Sequence, residues 1–237
     1  MIFEQIKKNG FYSSGELLTK TELDELQIFV KNKIDNFPDK NFRLYKEDFE
    51  NSILNHRDFK TKIENLVSSI TEECFKDYEN RDPNIYKVLR VVSGLKQKEQ
   101  AYLYHFDAHL ITILVPIFIP NNQNGKNGDL VIFPNIRKTH KNLLLNIIQK
   151  IFFQNIFIRN LIKLNIFKSL LNHKIIKIKP GNIYAFIGFS SLHGNLEIDE
   201  SSTRATLLIH AYDVFENSKL VNLNRERSIN KENKNKS

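Results

Sequence analysis

The sequence predicts an α+β fold that is mainly β, because helical patterns come first and a series of short strand patterns follows. From residue 85 onward the apolar runs become short, rich in Ile, Val, Tyr, Phe and Leu, and bounded by turn residues. Many strands with few helices between them favour a barrel or a sandwich. A chain of 237 residues can bury a core, and strand-rich domains often reach this size undivided. We therefore expect one domain over residues 1–214.

Flanking helices are expected over residues 1–80. Thr19 is followed three positions later by Glu22 and then by an apolar run, a capping-box pattern that predicts an amphipathic helix to about Asp35. Apolar residues at mostly helical spacing in residues 49–78 predict about two more helices, which would cover a sheet.

The strand-rich core is expected over residues 85–213. Turn residues at Ser93-Gly94, from Pro120 to Gly128 and at Lys179-Pro180-Gly181 divide it. The predicted strands are 85–93, 101–109, 110–119, 129–133, 175–179, 182–188 and 203–213.

Residues 138–174 interrupt the strands and predict a helical insertion. Apolar residues cover most of the circumference of two helices there, and every charged residue is cationic. The insertion lies within a longer stretch, 130–195, that contains no Asp or Glu. Such a pair of helices could form a lid or wall for an anionic or lipid-linked substrate, a dimer interface, or a surface that binds an anionic membrane. Alternatively, the two helices simply pack on the barrel. Of the functional alternatives, we favour the lid or wall.

The composition excludes or disfavours several classes of protein. The single cysteine, Cys74, excludes an intramolecular disulfide and any metal site with several thiolates. No targeting signal or long apolar span is evident, so we expect a soluble, cytoplasmic protein, with peripheral contact to an anionic membrane through residues 138–174 as an alternative. A nucleic-acid partner is disfavoured, because the basic residues alternate with aliphatic side chains. The polar, lysine-rich residues 217–237 predict a disordered basic tail.

The candidate metal ligands begin with His105 and Asp107. On a strand these two side chains would share one face about 6 to 7 Å apart along the backbone, close enough to reach one ion. His109 shares that face, but it would lie about 13 Å from His105, too far for a common ion. His193, in a later turn-rich segment, is the better third ligand. Two histidines and one carboxylate form the facial triad of non-haem Fe(II) oxygenases.

Arg204 is the candidate carboxylate-binding residue. It begins the final predicted strand, and its guanidinium offers a rigid, always-charged fork for a carboxylate. Thr206 lies two positions along on the same strand face and can add a hydroxyl. A core ion pair of Arg204 with Asp107 or Asp213 is the alternative. The remaining histidines show no partner pattern and are interpreted as ordinary core or surface residues: His56, His140, His173 and His210.

The ordered set His105-x-Asp107, His193 and Arg204-x-Thr206 resembles the Fe(II)/2-oxoglutarate-dependent dioxygenase superfamily. The segments Gly128-Asp129-Leu130 and Lys179 to Phe186 are similar to turns and strands of its barrel, so the resemblance covers about residues 85–213. It implies a double-stranded β-helix, the jelly roll also found in cupins, with iron bound at the open end of the barrel.

The resemblance also implies roles for individual residues. His105, Asp107 and His193 would be the catalytic metal ligands that hold Fe(II), which 2-oxoglutarate would chelate. Arg204 would pair with the far carboxylate of 2-oxoglutarate. The remaining cosubstrate contacts would come from three further residues: Thr206, Tyr102 and Asn195.

The implied reaction is hydroxylation of a small-molecule or lipid-linked substrate, anionic substrates included, with O2 consumed and succinate and CO2 released. Ascorbate would serve as a reductant. Halogenating relatives lack the carboxylate ligand, so the presence of Asp107 disfavours halogenation. Two alternatives stay open, a protein or peptide hydroxylase of the same superfamily and a non-enzymatic, cupin-like barrel that binds a metal or a ligand. No oligomeric state is predicted.

Overall fold

The computed structural model of the chain describes residues 1–36, 41–93, 100–122, 125–163, 170–223 and 226–227. The α-helices are α1 (Ile2–Asn9), α2 (Lys20–Asn36), α3 (Arg57–Cys74), α4 (Leu143–Gln154) and α5 (Ile156–Lys163). The first strands are β1 (Tyr12–Glu16), β2 (Phe42–Leu44), β3 (Tyr86–Ser93), β4 (His109–Phe118) and β5 (Leu130–Phe133). The later strands are β6 (Lys174–Ile176), β7 (Asn182–Ile187), β8 (Leu192–Asn195) and β9 (Thr203–Asp213).

The strands form two antiparallel sheets. One has six strands in the order β1-β7-β4-β9-β3-β2, and the other has three in the order β6-β5-β8. Apolar side chains from β4 and β7 pack between the sheets against Leu130 and Ile132 of β5. The two sheets therefore face each other across a shared interior.

A helical layer covers the outer face of the six-stranded sheet. Alternate residues of β9, among them Leu207 and Ile209, are fully buried in the same cluster as Val30 of α2 and Ile63 of α3. Because side chains alternate along a strand, their neighbours Leu208 and His210 point into the interior between the sheets.

The N-terminal segment departs in part from the sequence prediction. The α2 helix and its capping box are confirmed: the Thr19 amide donates to the Glu22 carboxylate, and the Glu22 amide donates to the Thr19 hydroxyl. Residues 49–78 contain one α-helix, α3, rather than two, with short 3-10 turns beside it. Residues 1–80 also supply strands to the sheet, but β1 and β2 are too short to show a clear apolar alternation.

The predicted strand over residues 101–109 is wrong. Tyr102 adopts a left-handed backbone with φ of 56°, which turns the chain, and β4 begins only at His109. Between them, His105 forms an isolated bridge to His193. His193 itself was predicted in a turn, whereas it lies buried within β8.

The helical insertion is confirmed, since α4 and α5 lie within residues 138–174. Buried Ile162, with Phe153 and Ile158, packs against Val131 and Phe133 on the outer face of the three-stranded sheet. Residues 164–169 fall outside the described ranges, as do 228–237 of the predicted tail. The start of that tail is ordered, because residues 219–223 are helical and Val221 packs on the core.

Across the described helices, none combines the length and the apolar character that a bilayer crossing requires.

Truncating a side chain should destabilise the protein more on one face of β9 than on the other. We expect Leu207→Ala to lower the free energy of unfolding by about 2–5 kcal/mol, because the fully buried side chain leaves a cavity under the helices. Leu208→Ala should cost clearly less, because Leu208 is half-buried and borders an open cavity. Urea unfolding of both variants measures the difference. Equal losses would contradict the assignment of the two faces.

Candidate metal centre

Three side chains converge at the mouth of the barrel. Ligand atoms of His105, Asp107 and His193 all lie within 4.8 Å of one another. The Nε2 atom of His193 is 3.3 Å from Oδ2 of Asp107, and the Nε2 atom of His105 is 3.7 Å from Oδ1. The structure therefore brings together the three ligands that the sequence predicts.

Backbone pairing holds the two histidines together. The His105 amide donates to the His193 carbonyl and the His193 amide donates to the His105 carbonyl, both at 3.0 Å. Their rings lie 4.5 Å apart between centroids. A single reciprocal bridge thus replaces the strand that the sequence predicts for His105.

Asp107 is fixed by its contact with a glycine. Its amide donates to the Gly188 carbonyl at 3.1 Å. A Cβ atom at residue 188 would lie 2.6 Å from the Asp107 carboxylate and 2.1 Å from the Thr112 hydroxyl, closer than atoms can approach. The carboxylate therefore occupies space that exists only because residue 188 has no side chain.

The ring nitrogens of both histidines are oriented for metal binding. His105 places Nδ1 2.8 Å from the Leu103 carbonyl, and His193 places Nδ1 3.0 Å from the Ser191 carbonyl. A carbonyl only accepts, so each Nδ1 carries the proton and each Nε2 is left with its lone pair. Both Nε2 atoms face Asp107.

The protonation states also suit a metal site. Burial, together with the charges of His193 and Arg90, lowers the pKa of His105 to about 4. Burial alone would raise the pKa of Asp107, but the neighbouring histidines and the Thr112 hydroxyl outweigh it and hold the pKa well below its usual range. At neutral pH the pocket presents a neutral imidazole beside a carboxylate, which is the form that binds a cation.

Two residues that contact Asp107 were not predicted from the sequence as part of the site. The Thr112 hydroxyl donates to Oδ2 of Asp107 and lies 3.2 Å from Nδ1 of His210. His210 Nδ1 is in turn 3.8 Å from the same carboxylate oxygen. The signal was a polar residue at an inward strand position between apolar neighbours, in β4 for Thr112 and in β9 for His210.

Arg137, also missed, lies behind the metal centre. Its guanidinium carbon is 4.1 Å from the ring centroid of Phe106 and 4.0 Å from that of Phe189. Its Nη1 donates to the side chains of Asn146 and Gln149 on α4, both at 2.9 Å. Burial lowers the pKa of Arg137 to about 10, against the opposing effect of the Asp107 charge. Arg137 thus joins the insertion to the segment that carries His105 and Asp107.

A cavity of about 670 Å³ opens next to the metal ligands. Rings of Tyr86, His109 and His210 stack in its wall, with His109 and His210 5.0 Å apart and Tyr86 and His109 6.2 Å apart between centroids. The described residues of its wall include none from 138–174, so the expectation that the insertion forms a lid or wall finds no support in the described part of the chain. The insertion instead packs on the far side of the small sheet.

The predicted cosubstrate residues are placed differently from one another. Asn195 lines the cavity and donates to the Gly128 carbonyl at 3.3 Å. Arg204 is buried, and its Nη1 donates to the same carbonyl at 2.8 Å rather than to Asp107 or Asp213. Thr206 is buried beside it on β9. Tyr102 is half-buried, and its amide donates to the Asn195 carbonyl. Among the described residues, the cavity wall includes Asn195 but not the other three.

The donor set fits iron. Two imidazoles and a carboxylate, gathered on one side of a space that opens to a cavity, are the kind of ligand set found in a non-haem Fe(II) facial triad. His109, which sequence analysis excluded as a ligand, lines the same cavity outside this cluster.

Solved structures with a similar fold include hydroxylases. A prolyl hydroxylase from Trichoplax adhaerens, in complex with a hypoxia inducible factor oxygen degradation domain peptide fragment, matches with a TM-score of 0.56 at 13% identity, over 90% of this chain and 88% of that one. A prolyl-4-hydroxylase from Pseudomonas putida matches with a TM-score of 0.57 at 9% identity, over 89% and 96%.

A third similar structure contains the expected cosubstrate. EvdO2 from Micromonospora carbonacea var. aurantiaca, complexed with 2-oxoglutarate, matches with a TM-score of 0.58 at 11% identity, over 89% of both chains. No protein-family model matches this sequence, and no curated protein matches it. At such identities the similarity shows the fold. The chain has the double-stranded β-helix fold of the Fe(II)/2-oxoglutarate oxygenases.

Proposed function

We propose that this protein is an Fe(II)/2-oxoglutarate-dependent dioxygenase that hydroxylates its substrate. The observation that carries the proposal is the cluster of His105, Asp107 and His193, which meets at the wall of a cavity in this fold. Bound Fe(II) supplies the redox chemistry that couples O2 to the decarboxylation of 2-oxoglutarate and the oxidation of the substrate, with ascorbate as a reductant in vitro.

The protein's own residues hold and orient the reactants. His105 and His193 offer Nε2 to the metal because each Nδ1 is bound to a carbonyl. Thr112 holds one oxygen of Asp107, which fixes the rotation of the carboxylate. Arg204 supplies positive charge in the barrel interior for the far carboxylate of 2-oxoglutarate, with Thr206 and Asn195 as further contacts and Tyr102 supporting Asn195 through its backbone.

The cavity supports a small-molecule substrate. Its volume of about 670 Å³ falls within the range of small-molecule sites, and it has both aromatic and charged walls. Asn84 and Asp213 line the same cavity as the stacked rings of Tyr86 and His109, so the wall combines polar and aromatic groups. A peptide substrate is the second candidate, because the similar Trichoplax protein was solved with a peptide fragment.

Removal of a metal ligand should abolish metal binding. We expect His105→Ala and Asp107→Ala to weaken the binding of Fe(II), or of redox-silent Mn(II), by more than about a hundredfold, because each removes a direct ligand. Anaerobic calorimetric titration measures the affinity. His56→Ala, which changes an exposed histidine at the start of α3, is the matched control and should bind like the parent. Undiminished iron binding by the first two variants would disprove the ligand assignment.

Turnover of 2-oxoglutarate distinguishes an oxygenase from a binding barrel. With Fe(II) and ascorbate, the parent should convert 2-oxoglutarate to succinate slowly even without substrate, and Asp107→Ala should not. The unreactive analogue N-oxalylglycine should raise the melting temperature of the metal-loaded parent, because it binds the folded state. If no succinate forms and no metal confers stabilisation by the analogue, the cupin-like binding barrel becomes the correct interpretation.

We further propose that the insertion contacts an anionic membrane surface. The α4 helix turns an apolar face to solvent, with Ile151 66% exposed and Leu144 68% exposed. The exposed apolar residues of α4 recur at helical spacing: Leu144, Leu145, Ile148, Ile151 and Phe152. No Asp or Glu occurs between residues 130 and 195, so the surrounding charge is cationic and complements anionic lipid. This surface would bring a lipid-linked substrate to the protein.

Vesicle sedimentation tests this contact. The parent should sediment with vesicles that contain phosphatidylglycerol, less so at high salt, and not with purely zwitterionic vesicles. Ile151→Asp should weaken binding about tenfold or more, because it charges the apolar face. Ile28→Asp changes a similarly exposed residue, 61% accessible on α2, and should have no effect. Equal binding by both variants would exclude this face, and dimerisation without vesicles would assign it to a second copy of the chain.

A further inference from the structure

Arginines from three neighbouring strands lie close together inside the barrel. Arg43 of β2 pairs directly opposite Arg90 of β3, and both line the cavity. Arg90 pairs in turn opposite Thr206 of β9, two residues from Arg204 on the same face. Like charges directly opposite each other destabilise an antiparallel pair, so this arrangement favours an anion between the strands.

Arg90 points into the interior rather than towards the helices. Its strand neighbours Leu89 and Val91 are buried in the core beneath the helical layer, whereas Val88 and Arg90 line the cavity. The Nη2 atom of Arg90 donates to the Gln100 side chain at 2.6 Å. Gln100 also lines the cavity, so this hydrogen bond holds the guanidinium at the cavity wall.

Arg90 faces the cavity that the proposed metal ligands line, and it lies on the strand next to the one that carries Arg204. A path from the proposed metal ligands towards β9 and Arg204 therefore begins in the cavity that Arg90 lines. A dicarboxylate that chelates the metal at one end would extend its other end along this path.

We propose that Arg90 is a second carboxylate-binding arginine of the 2-oxoglutarate site. In this arrangement Arg90 contacts the far carboxylate from the cavity side, where solvent and ligand arrive. Arg204, 4% exposed and bonded to the Gly128 carbonyl, contributes positive charge from the interior. The proposal rests on the proposed function, since it assigns a contact for that cosubstrate.

The pair Arg90→Met and Arg43→Met tests this contact. With Mn(II) bound, we expect Arg90→Met to weaken 2-oxoglutarate binding about ten- to a hundredfold, the loss typical of a charge-assisted hydrogen bond. Arg43→Met removes the same charge one strand further from Thr206 and should weaken binding less than about fivefold. Mn(II) affinity without 2-oxoglutarate should be unchanged in both, which checks that the metal centre is intact.

Pyruvate supplies a second readout. It has the 2-oxo acid group that chelates a metal but no far carboxylate, so its affinity should be the same for the parent and Arg90→Met. Binding of 2-oxoglutarate by Arg90→Met at parent affinity, or equal losses for Arg43→Met and Arg90→Met, would overturn the contact. If the parent protein binds Mn(II) but not 2-oxoglutarate, the proposed function is wrong, and the proposed Arg90 contact is then wrong as well.

Discussion

The buried carboxylate of Asp107 is the constraint on which the rest of the site depends. A charge removed from water is tolerated only where hydrogen-bond donors and positive charge surround it. The Thr112 hydroxyl donates to this carboxylate, the Asp107 amide is bonded to Gly188, and a cation held by the Nε2 atoms of His105 and His193 would supply the positive charge. The groups that contact the buried carboxylate also fix its orientation. A metal that arrives finds the carboxylate already aimed at the two free Nε2 atoms.

The register of β9 connects this centre to the rest of the molecule. Leu207 belongs to the core beneath the helices, while His210 lies beside the metal ligands and Arg204 lies deep in the barrel. A slip of one residue would exchange the two faces and place Leu207 and Ile209 at the site and Arg204 and His210 in the apolar core. The hydrophobic layer between the large sheet and the helices therefore enforces the positions of the polar residues. Stability and chemistry depend on the same strand pairing.

Much of this could be predicted from the sequence, and the failures have physical reasons. Two-residue spacing brings side chains to one side in any extended segment, so His105 and Asp107 lie together with His193 as predicted, although residues 101–107 do not form the predicted strand. Thr112 and His210 had a usable signal, a polar residue on an inward strand position. Arg137 had none: it lies in a loop without periodicity, and its partners on α4 are set by tertiary packing.

The aromatic pocket around Arg137 shows that the helical insertion cannot be trimmed from the barrel. A chain shortened between residues 138 and 174 would leave a guanidinium between Phe106 and Phe189 without its acceptors on α4, Asn146 and Gln149. A buried cation deprived of its partners destabilises its surroundings, and these include Phe106, the residue between His105 and Asp107. A change in the length or angle of α4 would therefore alter the support of the segment that carries His105 and Asp107.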